Sequence, residues 1–158
     1  MTLNKNMLWG GVIALLIAVA AVAFVKGRHL LEPQLIATAE LIEECDLNLG
    51  SCSSSLADFG AVSLTIAPHP IPVIKPLSIS VQSDIPGIES LMVDISGLNM
   101  NMGLNRFPLL RQSDGSYRGD GMLPVCTRNL MRWQAKVIVQ TDAGLVAFPF
   151  NFETLTNR

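Results

Sequence analysis

From Val62 to Phe152 the chain is written in period two, and this constrains its fold more than any other feature. Val62-Ser-Leu-Thr-Ile66 and Leu77-Ser-Ile-Ser-Val81 alternate apolar and polar residues. Successive side chains of an extended strand point to opposite faces, so such runs predict strands with one face buried. Glu89 to Ser96 places Leu91, Val93 and Ile95 together, and Asn105–Arg111 and Tyr117–Met122 continue the series. Pro108 marks the fourth run as an edge or a bulge, because proline brings no donor to a ladder. For the same reason the segment holding Pro68, Pro70, Pro72 and Pro76 cannot be a central strand. Trp133–Val139 and Leu145–Phe152 close the set, joined by a hairpin turn at Thr141-Asp-Ala-Gly144, with a second turn signal at Ser113-Asp-Gly-Ser116. Seven short strands with no helix between them predict an all-β domain, an antiparallel β-sandwich over residues 61–158. Phe148, Phe150 and Phe152 fall on one face of the last strand, with Trp133 as a core anchor opposite.

The opening of the chain follows a different rule. Met7 to Val25 carries no charge, and its 19 residues come close to the span of a bilayer core. Trp9 sits where an interfacial aromatic belongs. A cleaved signal is the alternative, since Ala21-Val22-Ala23 has the small-x-small form of a cleavage site. The length of the run, and Lys26 and Arg28 directly after it, favour an uncleaved transmembrane helix over residues 7–25 behind a six-residue cytoplasmic tail. Pro33 to Glu44 reads as a short helical stalk, with proline at the first helical position and an apolar stripe from Leu35 to Ile42. The stalk and a cysteine loop together account for residues 26–60. Cys45 and Cys52, separated by six residues, look like a disulfide pair of an oxidising compartment. Lys5 on one side of the apolar run and Lys26 and Arg28 on the other give no clean topological vote. The cysteines therefore place the large domain outside the cytoplasm, in the periplasm on a bacterial inner membrane, with membrane lipid as its first partner.

A net charge of -2 gives no support for nucleic-acid binding. Acidic residues gather between Glu32 and Asp58 and basic ones between Arg106 and Lys136, which reads as solvated surface. No G-x-S-x-G run, no base beside a nucleophile, no phosphate-binding glycine loop and no carboxylate pair with acid–base spacing occurs, so the expectation is a protein that is not an enzyme. Asp114 and Asp120 flank turn glycines and read as structural. The residues that suggest chemistry are sulfurs: Met100, Met102, Met122, Cys126 and Met131. Thioethers and thiolates are soft ligands, suited to Cu(I). The chain has only two histidines, His29 and His69, which argues against a zinc or Cu(II) centre built on imidazole. Met100 and Met102 share one face of an extended segment bracketed by Gly97 and Gly103, while Met122 and Met131 flank Cys126. Convergence of these strand ends would create a site of three or four sulfurs. The competing reading is packing, because methionine fills irregular cores without any metal. Cys126 is then a buried thiol or the partner of another cysteine.

The run from Leu77 to Glu153 carries Asn99-Met-Asn-Met-Gly103, Asp114-Gly-Ser-Tyr117, Leu123-Pro-Val-Cys126, Met131-Arg-Trp133 and Phe148-Pro-Phe-Asn-Phe152. In order and character these motifs resemble the FixH/YtkA group of periplasmic, immunoglobulin-like bacterial proteins, over about half of the chain. The resemblance implies an immunoglobulin-like sandwich tethered to the membrane, engaged in copper handling and in assembly of haem–copper respiratory oxidases. Its partners would be a membrane respiratory complex or that complex's assembly factors. The paired His and Met ligands of familiar periplasmic copper chaperones are not met here. The alternative function is a structural or protein-interaction module with no metal, binding through an edge strand.

Overall fold

The computed structural model describes residues 9, 11–22, 35–125 and 128–155. Two compact units are distinguished, one up to Gln34 and one from Leu35 onward. In the first, residues 11–22 are helical and exposed. Among the described residues no helix is long and apolar enough to cross a membrane. The rest of the expected anchor, the tail before it and residues 26–34 lie outside the described residues.

The second unit is all β: β1 (Leu35–Thr38), β2 (Cys52–Leu56), β3 (Gly60–Ala67), β4 (Leu77–Ser83), β5 (Ser90–Gly97), β6 (Asn105–Arg111), β7 (Tyr117–Gly121), β8 (Leu130–Thr141) and β9 (Gly144–Leu155). Their lateral order is β1-β9-β8-β5-β6-β7-β4-β3-β2. The series folds into two layers at β6. Residues Asn105 to Leu109 pair with β5, whereas Leu110 and Arg111 pair with β7 in the other layer. Pro108 therefore falls in a stretch with one ladder partner only, where its missing N–H costs nothing. All seven strands anticipated from period two are present, with the turns that separate them.

Between the layers lies a core of residues at alternate positions: Val62, Leu64 and Ile66 from β3, Leu77, Ile79 and Val81 from β4, Leu91, Val93 and Ile95 from β5. From β9 it receives Val146, Phe148, Phe150 and Phe152. Trp133 is fully buried, as its size and position demand, but beside Phe152 rather than across from it. The two are register partners on β8 and β9, with nearly parallel rings 6.5 Å apart. The indole N–H donates to Thr154 Oγ1 at 2.9 Å, so the polar end of this side chain is satisfied inside the core.

Two segments depart from expectation, and both extend the sandwich. The stalk helix is not formed from Leu35 onward. Leu35–Thr38 is a strand paired in parallel with β9 and bulged between Leu35 and Ala37, and the Ala39 N–H continues the contact to the Ala147 carbonyl at 2.8 Å. Ile36 and Thr38 are β-branched and suit a strand, and the open edge of β9 offers this segment main-chain hydrogen-bond partners that a lone helical turn would lack. The polar run after Cys52 is β2, not a loop. Ser53 and Ser55 face solvent while Cys52 and Ser54 are buried, so its alternation is hidden in residue identity. The sandwich consequently begins at Leu35 instead of residue 61, and absorbs the cysteine loop.

Candidate functional site: the methionine end of the sandwich

The pairings that build the sheets also sort the connections to two ends. At one end are the turns 57–59, 84–89, 112–116 and 142–143; at the other are the connections 45–51, 68–76 and 98–104, with residues 122–125 and 128–129. Every described sulfur of the expected site belongs to the second end. Met100 and Met102 lie in the β5–β6 connection, Met122 directly follows β7, and Met131 is the second residue of β8. Cys126 lies outside the described residues.

The best-defined part of the site is centred on Gly97, the last residue of β5. A Cβ placed there would stand 3.2 Å from Met102 Cγ and 3.2 Å from Met131 Cε, and inside contact distance of the Met100 carbonyl oxygen. The missing side chain is thus the space that the two thioether chains share. Met131 points inward in the alternating pattern of β8 and is 1% exposed, whereas Met102 is partly buried against the core edge. Met100 and Met122 are 40% and 53% exposed. Packing accounts for the first two methionines, and the other two are exposed. The four methionines described at this end therefore divide into a packed pair, Met131 buried and Met102 partly buried, and an exposed pair.

The surroundings reinforce the contrast. Leu98, Leu104 and Val125 are exposed in the same connections as Met100 and Met122, and Leu49 and Ile74 are exposed in the other two. None of the exposed large hydrophobic residues lies in the turns of the opposite end. Exposed apolar side chains gathered at one end of a domain commonly mark an interaction site.

The cysteine loop forms one wall of this end. Cys45 and Cys52 are joined in a disulfide with 5.8 Å between Cα atoms, as their spacing suggested. Within the loop Leu47 is fully buried, and Asn48 reaches two other segments. Its amide donates to the Glu153 carbonyl at 2.9 Å, and its carbonyl oxygen accepts from the Ile71 N–H at 3.0 Å. A groove of about 450 Å³ runs between Cys45 and the β8–β9 ladder, where Leu98, Arg132, Trp133 and Phe152 contribute. Asn48 carries no sequence signal beyond a turn-prone composition, and its role was legible only once the loop was folded against β9.

His69 lines a second hollow, of about 720 Å³, with Asp46, Asn48 and Lys75. Among the described residues no three side chains from His, Cys, Asp and Glu come together. At the opposite end Asp114 is the group with a clear electrostatic shift. Hydrogen bonds from the Ser116 hydroxyl and N–H, aided by the Arg118 guanidinium, hold its carboxyl below the ordinary range. It is a turn-fixing carboxylate, in keeping with its place beside Gly115.

No family model, curated protein or solved structure matches the chain. The likeness to the FixH/YtkA group rests on the residues quoted above alone.

Proposed function

We propose that this protein is a membrane-tethered, immunoglobulin-like carrier of Cu(I), with its sandwich in the periplasm of a bacterium and its methionine end as the metal site. Met100, Met102, Met122, Cys126 and Met131 are the soft ligands, and the metal is exchanged rather than stored. The observation that carries this reading is the gathering of Met102 and Met131 around Gly97 with two exposed methionines at the same end. A packed thioether pair gives a fixed half-site, and exposed thioethers give a donor or acceptor protein access to it. The strand order supports the immunoglobulin-like arrangement: β3-β4-β7 faces β6-β5-β8-β9, two antiparallel layers linked in Greek-key fashion. The disulfide supports an oxidising compartment. Exposed leucines beside the sulfurs suit a protein that docks briefly on a copper-dependent respiratory complex or its assembly factors.

Anaerobic titration of the full chain with Cu(I), against a chromophoric chelator, tests the reading. One equivalent retained by the wild type and released by M100L/M102L is the expected result. Failure of the wild type to compete would leave the second reading, a protein-interaction module with packed sulfurs. That reading is favoured by the complete burial of Met131 among core residues.

A further inference from the structure

The connection from Leu98 to Asn105 reads Leu-Asn-Met-Asn-Met-Gly-Leu-Asn, with asparagines interleaved among the two methionines. Each asparagine side chain binds main chain. Asn101 Oδ1 accepts from the Gly103 N–H at 2.9 Å, closing a local turn. The Asn105 amide donates to the Ile95 carbonyl at 3.1 Å, fixing the far side of the loop to β5. Asn99 does something different: it reaches out of the loop to β8. Its Nδ2 donates to the Leu130 carbonyl at 3.1 Å, and its Oδ1 accepts from the Arg132 N–H at 3.2 Å.

Those two main-chain groups flank Met131. The β5–β8 ladder runs in register to Gly97 and Trp133, and the Leu98 N–H still donates to the Arg132 carbonyl at 2.8 Å. One residue further the backbone of β5 turns away into the loop. The Asn99 carboxamide, one donor and one acceptor on a short arm, takes over as the ladder partner of β8. It holds Met131 on one side while its own chain continues directly into Met100 and Met102.

We infer that Asn99 is a positioning residue for the methionine site, a clamp that keeps the Met100–Met102 loop against the start of β8 so that Met102 and Met131 share the space over Gly97. The inference rests on the soft-metal reading for its functional meaning, but the clamp itself is testable without metal. The chemistry predicts a graded series. Asn99→Asp keeps the acceptor for Arg132 and loses the donor to Leu130, while Asn99→Ala loses both.

The experiment uses the full chain with ¹³C-labelled methionine methyl groups. In the metal-free wild type the Met131 methyl is expected to give a nuclear Overhauser contact to the Met102 side chain at its Cγ methylene. That contact disappears in Asn99→Ala and weakens in Asn99→Asp, while the methyl resonance of Met92, in the middle of β5, stays in place as evidence that the sandwich is intact. Cu(I) affinity by chelator competition falls at least tenfold in Asn99→Ala and less in Asn99→Asp. A persisting Met102–Met131 contact in Asn99→Ala overturns the clamp. Wild-type Cu(I) affinity in Asn99→Ala overturns its role in the site. Loss of the contact in Asn99→Ala, together with a wild type that retains no Cu(I), upholds the clamp and refutes the soft-metal reading instead.

Discussion

The two ends of the sandwich are built from the same strands and differ in what their connections are asked to do. At the end that holds residues 57–59, 84–89, 112–116 and 142–143, short turns are fixed by local polar contacts. Asp114 binds the Ser116 hydroxyl and N–H and pairs with Arg118, and the Thr141 hydroxyl donates to the Gly144 carbonyl at 3.0 Å, while Asp84 reaches only the adjacent strand, accepting from the Ala61 N–H. At the methionine end the connections are longer and are tied to distant segments through Asn48 and Asn99, with the disulfide closing the loop that carries Asn48. Local fixing gives independent turns; long-range ties give one cooperative surface. The sulfurs and the exposed apolar residues occur on the second kind.

Changes that cut a long-range tie should accordingly cost more than changes within a turn. The largest effect is expected from removing the disulfide, which closes the loop that presents Asn48 to Glu153 and Ile71. For a loop of this length C45A/C52A should lose about 2.5 kcal/mol by urea denaturation, on the chain-entropy account. Hydrogen exchange should rise around Ile71 and Glu153, whose main chain Asn48 holds, while the β6–β7 turn stays protected. Uniform loosening at both ends would break the comparison. Next comes Gly97→Ala, whose methyl meets the Met100 carbonyl and both thioether chains. Overpacking of this kind should cost about 1–3 kcal/mol, with the methyl resonances of Met102 and Met131 displaced. Its counterpart at the turn end is Gly115→Ala, where nothing lies within 4 Å and the penalty comes from a φ of +84° alone. About 1 kcal/mol is expected there, with no change at any methionine.

The smallest effect concerns Asp114. Its carboxyl titrates below the ordinary range in the folded protein because the charged form accepts hydrogen bonds from Ser116 and faces Arg118. Its contribution to stability is therefore complete above the unfolded pKa. It declines as pH falls through the lower folded value. Asp114→Asn should remove that portion of the acid dependence and leave stability near neutrality little changed, because the group is solvent-exposed. An undiminished acid slope in the variant would assign the dependence to other carboxylates.

The legibility of the sequence follows the same division. Period two exposed β3 through β9 because each buries one apolar face and has polar or edge residues on the other. β2 was hidden because serine occupies both its inward and outward positions, so no hydrophobic contrast marks the strand. β1 was misread as helix because Leu35, Ile36, Ala39 and Ile42 fit a helical stripe as well as an edge strand; the free edge of β9, a tertiary feature, decided between them. The methionines were visible as candidates from their residue type, and their sorting into a packed and an exposed pair was not. That sorting depends on the pleat of β8, which turns Met131 inward, and on the missing side chain at Gly97. The disulfide was legible from spacing. The clamps at Asn48 and Asn99 were not, because asparagine in a turn-rich segment reads as local turn chemistry until its long-range partner is known.

The central claim is that the methionine end, and not methionine in general, binds soft metal. The most direct measurement is a methyl-NMR titration of the full chain with Cu(I) under anaerobic conditions. The chain carries seven methionines, so the spectrum contains its own controls. The account predicts that the methyls of Met100, Met102, Met122 and Met131 shift together and saturate at one equivalent, with Met92 unmoved. Shifts spread evenly over all methionines, or none at the four up to several equivalents, would contradict it.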